Sequence, residues 1–265
     1  MERNILLKIK YDGSRYCGWQ RQLDDITVQG TIEKAIREML KIKNVVVAGS
    51  SRTDAGVHAL SYPVTFKLDV PIPTENIKRA LNGRLPNDIR VLEVSEVPME
   101  FHPRFKSKKK TYVYRILEGR EKSPFAENYF YQVPKCLDIE KMKNAAKSIE
   151  GVHDFASFQA MGGTIRESTV REIYSLKIEE HKIMRSDKLI GESLIWGDEN
   201  RIIDIAVTGN GFLYNMVRII VGTLIDIGRG KIEEGKIEEI INSKNRENAG
   251  HTAPAAGLYL KEVNF

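Results

Sequence analysis

The apolar positions change period repeatedly along the chain. Ile5 to Lys10 read as a first strand. Val28, Ile32, Ala35, Ile36, Met39 and Leu40 then recur at helical spacing, which predicts a helix over 28–41 with Thr27 as its N-cap. Strands follow near 44–48 and 62–68. Thr74, after Pro73, opens a second helix that Gly83 can terminate, and Ile89 to Val97 supply a fourth strand. The first half is therefore β-α-β-β-α-β.

The second half repeats that order without residue-level self-similarity. A strand at 108–117 is followed by a helix at 138–150, capped by Asp138 and ended by Gly151, then by strands near 170–179 and 201–208. Helices at 213–228 and 232–242 and a strand at 257–263 complete it. The pattern predicts an α+β fold of two ferredoxin-like (βαββαβ) units, with mainly antiparallel sheets joined edge to edge and flanking a central cleft. Pro98, Pro103 and a basic run interrupt the apolar pattern between Phe101 and Lys110. This separates a half over 1–105 from a half over 106–265. Glu179 to Arg201, with charged residues interleaved around Trp196, read as an extended hairpin.

Composition narrows the class of protein. Of 265 residues, 42% are hydrophobic and 29% charged, which is ordinary for a folded soluble domain with a sizeable core. The net charge of +5 and pI near 9.0 favour a polyanionic partner without separating RNA from a membrane surface. The N-terminus shows no apolar leader, and the most apolar later stretch, Met216 to Ile227, is interrupted by Arg218 and Asp226 and is too short to span a bilayer. Cys17 and Cys136 lie far apart and outside any CxxC or Cys/His ligand spacing. A reduced, cytoplasmic setting, no membrane partner and no structural metal are the expectations.

The densest chemistry lies at Ser50 to Ala59, which reads Ser-Ser-Arg-Thr-Asp-Ala-Gly-Val-His-Ala. Asp54 sits there on a glycine-containing loop between two strand-like stretches, with Arg52 two residues before it. Loops on rigid strands are where chemistry concentrates, although an isolated loop aspartate is by default a turn former. Elsewhere, Arg104, Lys106, Lys108, Lys109 and Lys110 form a basic run, and Tyr11 to Gln22 mix aromatic, basic and amide groups. Both patterns suit RNA, with Arg15, Trp19, Arg21, Lys108, Lys109 and Lys110 as contact candidates. The alternative for any single lysine is a solvated face. In Lys108 to Ile116, strand alternation puts Tyr112, Tyr114 and Ile116 on one face, a stripe that serves either as core or as a ligand platform. Arg218 lies in an otherwise apolar helix on one face with Tyr214, Gly222 and Ile225. A snorkelling surface arginine is its alternative reading.

Ser-Arg-Thr-Asp-Ala-Gly-Val-His-Ala closely resembles the catalytic signature of the tRNA pseudouridine synthase A (TruA) family. Gly211 to Arg218, Tyr11 to Gln22 and Ala253 to Leu260 resemble further family segments, so the likeness spans nearly the whole chain. Ser51 departs from the glycine of many relatives, which implies that φ need not be positive there. The resemblance implies an isomerase that needs no cofactor and converts uridine to pseudouridine at positions 38, 39 and/or 40 of the tRNA anticodon stem-loop. It makes Asp54 the nucleophile, Arg218 its buried partner and Tyr112 the platform that stacks on the target uracil. Arg52 would fill the space left by the extruded base, or else contact a phosphate. His58 braces the loop and takes no catalytic role. A homodimer is also implied.

The reaction breaks the bond from ribose C1′ to uracil N1 and joins C1′ to C5, with no redox change. One carboxylate suffices, attacking either C6 of the base or C1′ of the ribose. It must be ionised while partly desolvated, which calls for an opposite charge. Two other readings fit parts of the sequence. A non-catalytic tRNA-binding protein or chaperone explains fold and charge, but not an Asp–Arg pair beside a stacking tyrosine. A metal-dependent nuclease would need further ligands at suitable spacing around Asp54.

Overall fold

The computed structural model describes residues 2–134, 136–162, 167–182 and 200–265. The chain divides into two compact units, Met1–Lys110 with Tyr259–Phe265, and Thr111–Leu258. Both combine helices with a mainly antiparallel sheet.

In the first unit, β1 (Arg3–Tyr11) lies between β3 (His58–Leu68) and β4 (Ile89–Val97) and is antiparallel to both, with Leu7 opposite Val64 and Val94. The two-residue β2 (Ala48–Gly49) pairs antiparallel with the outer side of β3, giving the order β4-β1-β3-β2. Ile5, Leu7 and Ile9 alternate along β1 and are fully buried, as are Val28 and Ile36 of α1 (Val28–Leu40) and Ile77 and Leu81 of α2 (Thr74–Asn82). The Thr27 hydroxyl accepts from the Gly30 N–H at 3.3 Å and caps α1. Gly83 follows α2 with an ordinary φ of −79°, so the helix ends there without a left-handed turn. β2 is shorter than the predicted strand at 44–48. The Val47 N–H is drawn to the buried Glu33 Oε1 at 3.2 Å, a side-chain acceptor on α1.

In the second unit the strands run β5 (Lys109–Glu118), β9 (Arg201–Gly209), β8 (Val170–Lys182) and β7 (Gly151–Asp154). β8 is antiparallel to β9 and to β7, while β6 (Tyr131–Val133) adds in parallel to β5. The arms of the extended hairpin pair out to Lys182 opposite Arg201. Their connection at 183–199, with Trp196, lies outside the described residues. α4 (Ile139–Lys147) packs on α5 (Met216–Gly228), whose Ile219, Ile220, Leu224 and Ile225 are fully buried. Asp138 caps α4 by accepting from the Lys141 N–H at 3.1 Å. α5 begins three residues later than its periodicity predicts, because Asn215 takes a left-handed conformation with φ 57°. The first turn of the predicted helix at 232–242 is 3-10, and α6 spans Ile237–Ser243.

The division at Lys110 and the return of Tyr259–Phe265 to the first unit differ from a second half running over 106–265. Residues 103–110 are tied to the first unit. Pro103–Lys106 form a short helix α3, the Lys108 N–H donates to Asn264 O at 2.8 Å, and Phe101 meets Phe265 edge-on at 4.9 Å. At the start of β10 (Leu258–Asn264), Tyr259 and Leu260 pair in parallel with His58 and Ala59. Among the described residues no helix is long and apolar enough to cross a membrane.

Candidate active site

Asp54 occupies the loop between β2 and β3, and both limbs of that loop are held by hydrogen bonds. On the incoming limb, the Tyr62 hydroxyl accepts from the Ser51 N–H at 3.2 Å and donates to the Ser51 carbonyl. Lys110 Nζ donates to Ser50 O at 2.9 Å and to Ser51 Oγ at 3.0 Å. Ser51 does not have positive φ, so the departure from glycine costs no strain. On the outgoing limb, the Trp19 N–H donates to Thr53 O at 3.1 Å, the Gly56 N–H to Tyr16 O at 3.2 Å, and the Val57 N–H to Asp54 O at 3.2 Å. The Tyr11 hydroxyl lies 2.9 Å from Thr53 Oγ1. Thr53 and Val57 are buried, Arg52 is exposed, and Asp54 between them is half-buried. The loop thus presents one carboxylate from an otherwise anchored backbone.

The segment Tyr11 to Gln22 forms the wall behind this loop. Two of its glycines are required by close approach. A Cβ on Gly13 would lie 1.9 Å from Val57 O, and one on Gly18, whose φ is +84°, 2.6 Å from Thr53 O. His58 ties the same wall down. Its Nδ1 accepts from the Gly13 N–H at 3.1 Å, and its ring stacks on Tyr259 at 4.6 Å. Asp12 Oδ1 also lies 3.2 Å from Nδ1, but that oxygen already accepts from the Ser14 N–H and hydroxyl, which favours the neutral ring accepting from Gly13. Tyr16 donates to Asp88 Oδ1 at 2.6 Å. Burial and that bond push its phenol well above the ordinary tyrosine value.

Trp19, one of the RNA-contact candidates, lies inside this arrangement. Trp19 is only 4% exposed and stacks on Tyr62 with ring centroids 4.3 Å apart, over Gly49, where a Cβ would meet the indole at 2.6 Å. It is core, and it supports the tyrosine that grips Ser51. Arg15 and Arg21 remain largely exposed. Arg15 Nη1 lies 3.5 Å from Asp88, and Arg21 Nη1 lies 3.0 Å from the buried Glu33. Lys108 and Lys109 are exposed. Lys110 is half-buried and turned toward the Asp54 loop. Nothing in a basic run distinguishes a lysine that turns inward from one that faces water. Glu33 was equally hard to foresee, although Gln29 at i−4 does bond to it at 3.0 Å.

In the second unit, Tyr112 is 7% exposed and meets Phe212 edge-on at 5.2 Å. Tyr114, next on the same strand face, is fully buried and donates to Pro254 O at 2.7 Å. Burial raises its phenol far above the ordinary value, although Arg218 opposes the shift. Arg218 is not a snorkelling arginine. Its Nε donates to Ala253 O at 2.7 Å and its Nη1 to Asn215 Oδ1 at 2.8 Å. The residues from Ala249 to Pro254 are strapped to α5 by more than this. The Ala253 N–H donates to Arg218 O and the Gly250 N–H to Thr223 Oγ1, and a Cβ on Gly222 would lie 1.8 Å from His251 O. Asp226 Oδ2 accepts from the His251 N–H at 3.2 Å and pairs with Nδ1 at 2.8 Å. Burial alone would raise the Asp226 carboxyl, but the bonds from His251 and the charge of Lys231 outweigh it and hold the group below the usual carboxylate range. Asp54 and Arg52 therefore lie in one unit, and Tyr112 and Arg218 in the other. Among the described residues no group of three or more His, Cys, Asp or Glu is placed to hold a metal ion.

A family model described as tRNA pseudouridine synthase matches residues 8–106 and 145–265. The chain is 48% identical to a tRNA pseudouridine synthase A 2 of Clostridium tetani over the full length of both. It is 44% identical to a tRNA pseudouridine synthase A of Clostridium acetobutylicum and 42% identical to one of Thermoanaerobacter sp., each time over 99% of this chain and all of the relative. A looser likeness, at 12% identity and a TM-score of 0.32, covers 83% of this chain and 44% of a chain in an archaeal box H/ACA sRNP Nop10-Cbf5 complex, too loose to bear on the fold. With the family model matched over most of its residues and relatives aligned end to end, the chain belongs to the tRNA pseudouridine synthase A family of isomerases.

Proposed function

We propose that this isomerase converts uridine to pseudouridine at positions 38, 39 and/or 40 of the tRNA anticodon stem-loop, with Asp54 as its nucleophile. The observation that carries the reading is the Asp54 loop itself. A half-buried carboxylate projects from a backbone held at Ser50, Ser51, Thr53, Asp54 and Gly56. Such anchoring suits a group that must meet one atom of a substrate, because misplacement by about 1 Å costs on the order of a hundredfold in rate. Asp54 adds to C6 of the base or takes C1′ of the ribose, and the C1′–N1 bond breaks. The uracil turns, C1′ bonds to C5, the bond to Asp54 breaks and returns its carboxylate, and the proton lost from C5 is balanced by one gained at N1, so the product is an isomer.

Arg218 supplies the opposite charge that keeps a partly desolvated Asp54 ionised, and its fixing by Ala253 and Asn215 supports that role. Tyr112 stacks on the target uracil, backed by Phe212. These two roles require that the second unit reach the uridine that Asp54 attacks. Arg52, exposed two residues from Asp54, occupies the gap left in the RNA stack or holds a phosphate. The element order and the strand order β4-β1-β3-β2 support a ferredoxin-like first unit. A cytoplasmic homodimer completes the proposal. Incubating the pure protein with unmodified tRNA transcripts and mapping pseudouridine by position tests it. Conversion at 38, 39 or 40 is expected, and tRNA binding with no conversion would favour a chaperone.

A further inference from the structure

Lys110 ends a basic run whose other members reach into solvent, and a phosphate is the partner its sequence context gives it. Its side chain is engaged elsewhere. Nζ donates to Ser50 O at 2.9 Å and to Ser51 Oγ at 3.0 Å, three to four residues before Asp54. Tyr62, fully buried, holds Ser51 as well. Ser50 is fully buried, and its Oγ has no hydrogen-bond partner among the described residues, so the grip on its backbone is what holds this end of the limb. An ammonium carries three donors on a flexible stem and can hold a carbonyl and a hydroxyl together, with charge-assisted bonds stronger than neutral ones.

We infer that Lys110 is a positioning residue for Asp54, which fixes the Ser50–Ser51 limb of the loop, and is not a phosphate contact. The inference rests on the reading of Asp54 as nucleophile. The two roles for Lys110 separate experimentally. A phosphate contact contributes to affinity and to the salt slope of log K for tRNA, because neutralising a phosphate releases counterions. A loop brace contributes to the rate at saturation and leaves the slope alone.

The full-length protein and an unmodified tRNA transcript suffice for the test. Saturated single-turnover rates of pseudouridine formation, and affinities across a salt series, are measured for wild type, Lys110→Gln, Lys110→Arg and Asp54→Asn. Lys110→Gln is expected to lower the saturated rate about ten- to a hundredfold, with affinity within about twofold and the salt slope unchanged. Lys110→Arg, which keeps charge and donors, should recover most of that rate, as a general loss of stability would not explain. The double variant Lys108→Ala/Lys109→Ala, which alters the exposed lysines of the run, should lower the slope. A wild-type saturated rate in Lys110→Gln with weaker affinity and a shallower slope would overturn the inference. Should Lys110→Gln fail to fold, Ser51→Ala removes one acceptor from the same grip. A reduced rate at unchanged affinity supports the brace, and an unchanged rate overturns it. Activity in Asp54→Asn would instead remove the nucleophile reading beneath it.

Discussion

In the first unit, the loop bearing Asp54 is irregular chain held chiefly by neutral bonds: Trp19 N–H to Thr53 O, Gly56 N–H to Tyr16 O, the Tyr62 hydroxyl to Ser51, and one lysine. In the second, Arg218 sits on the regular helix α5, and the strap over that helix is held by a carboxylate and an imidazole, Asp226 and His251. The loop draws its order from many partners distant in sequence, whereas the helix orders itself and must hold only the strap. Both solutions rest on a glycine under a carbonyl, Gly13 beneath Val57 and Gly222 beneath His251. The strap adds a buried carboxylate whose pairing with His251 is lost in acid.

The largest effect is expected at those glycines. Gly13→Ala and Gly222→Ala each drive a Cβ to within 2 Å of a carbonyl oxygen, at 1.9 and 1.8 Å, so the backbone must shift. Each should destabilise the protein by about 1–3 kcal/mol in denaturant titrations. Gly13→Ala should displace the Asp54 loop and lower the single-turnover rate at saturating tRNA. Gly222→Ala should loosen residues 250–253 from α5 and raise hydrogen exchange at Gly250 and Ala253, whose N–H groups bond to that helix. A wild-type rate in Gly13→Ala would break the comparison on the loop side.

Tyr112 comes next. Tyr112→Phe keeps the ring and the contact with Phe212 and should bind tRNA almost normally, while Tyr112→Ala should lose about 1–3 kcal/mol of affinity. Equal, mild defects in both would return Tyr112 to the core, where its low exposure also fits.

The smallest effect tests the strap by pH. The folded Asp226 carboxyl titrates below its usual range, so its contribution to stability is present above the ordinary aspartate value of about 3.9 and is lost as pH falls through the lower folded value. Asp226→Asn should therefore destabilise the protein near neutrality by on the order of 1 kcal/mol, and the gap from wild type should close in acid. Thermal melts between neutral pH and pH 3 measure this, and a gap that stays constant would contradict it.

Period and punctuation made much of the fold legible. α1, α2, α4 and β4 follow directly from helical or strand spacing with Thr27, Pro73 and Asp138 at their starts. The Asp54 loop was legible as a contiguous run. What remained hidden depends on contacts far apart in sequence. Trp19 lies in a segment with no period, so burial on Tyr62 left no trace in the pattern. Lys110 reads like its neighbours because direction along a basic run is set by what lies across from it. β2 shrank to two residues because a buried glutamate competed for the Val47 N–H, and β10 returned to His58 and Ala59 through a pairing that no local signal announces.

The central claim is that the carboxylate of Asp54 performs the chemistry while the rest of the surface binds tRNA. Pseudouridine formation and tRNA affinity should be measured together for wild type, Asp54→Asn and Asp54→Ala on an unmodified tRNA transcript. The account predicts no detectable isomerisation in either variant, with affinity within about a few fold of wild type, because one side chain acts on one base among many phosphate contacts. Near-wild-type turnover in either variant would contradict it.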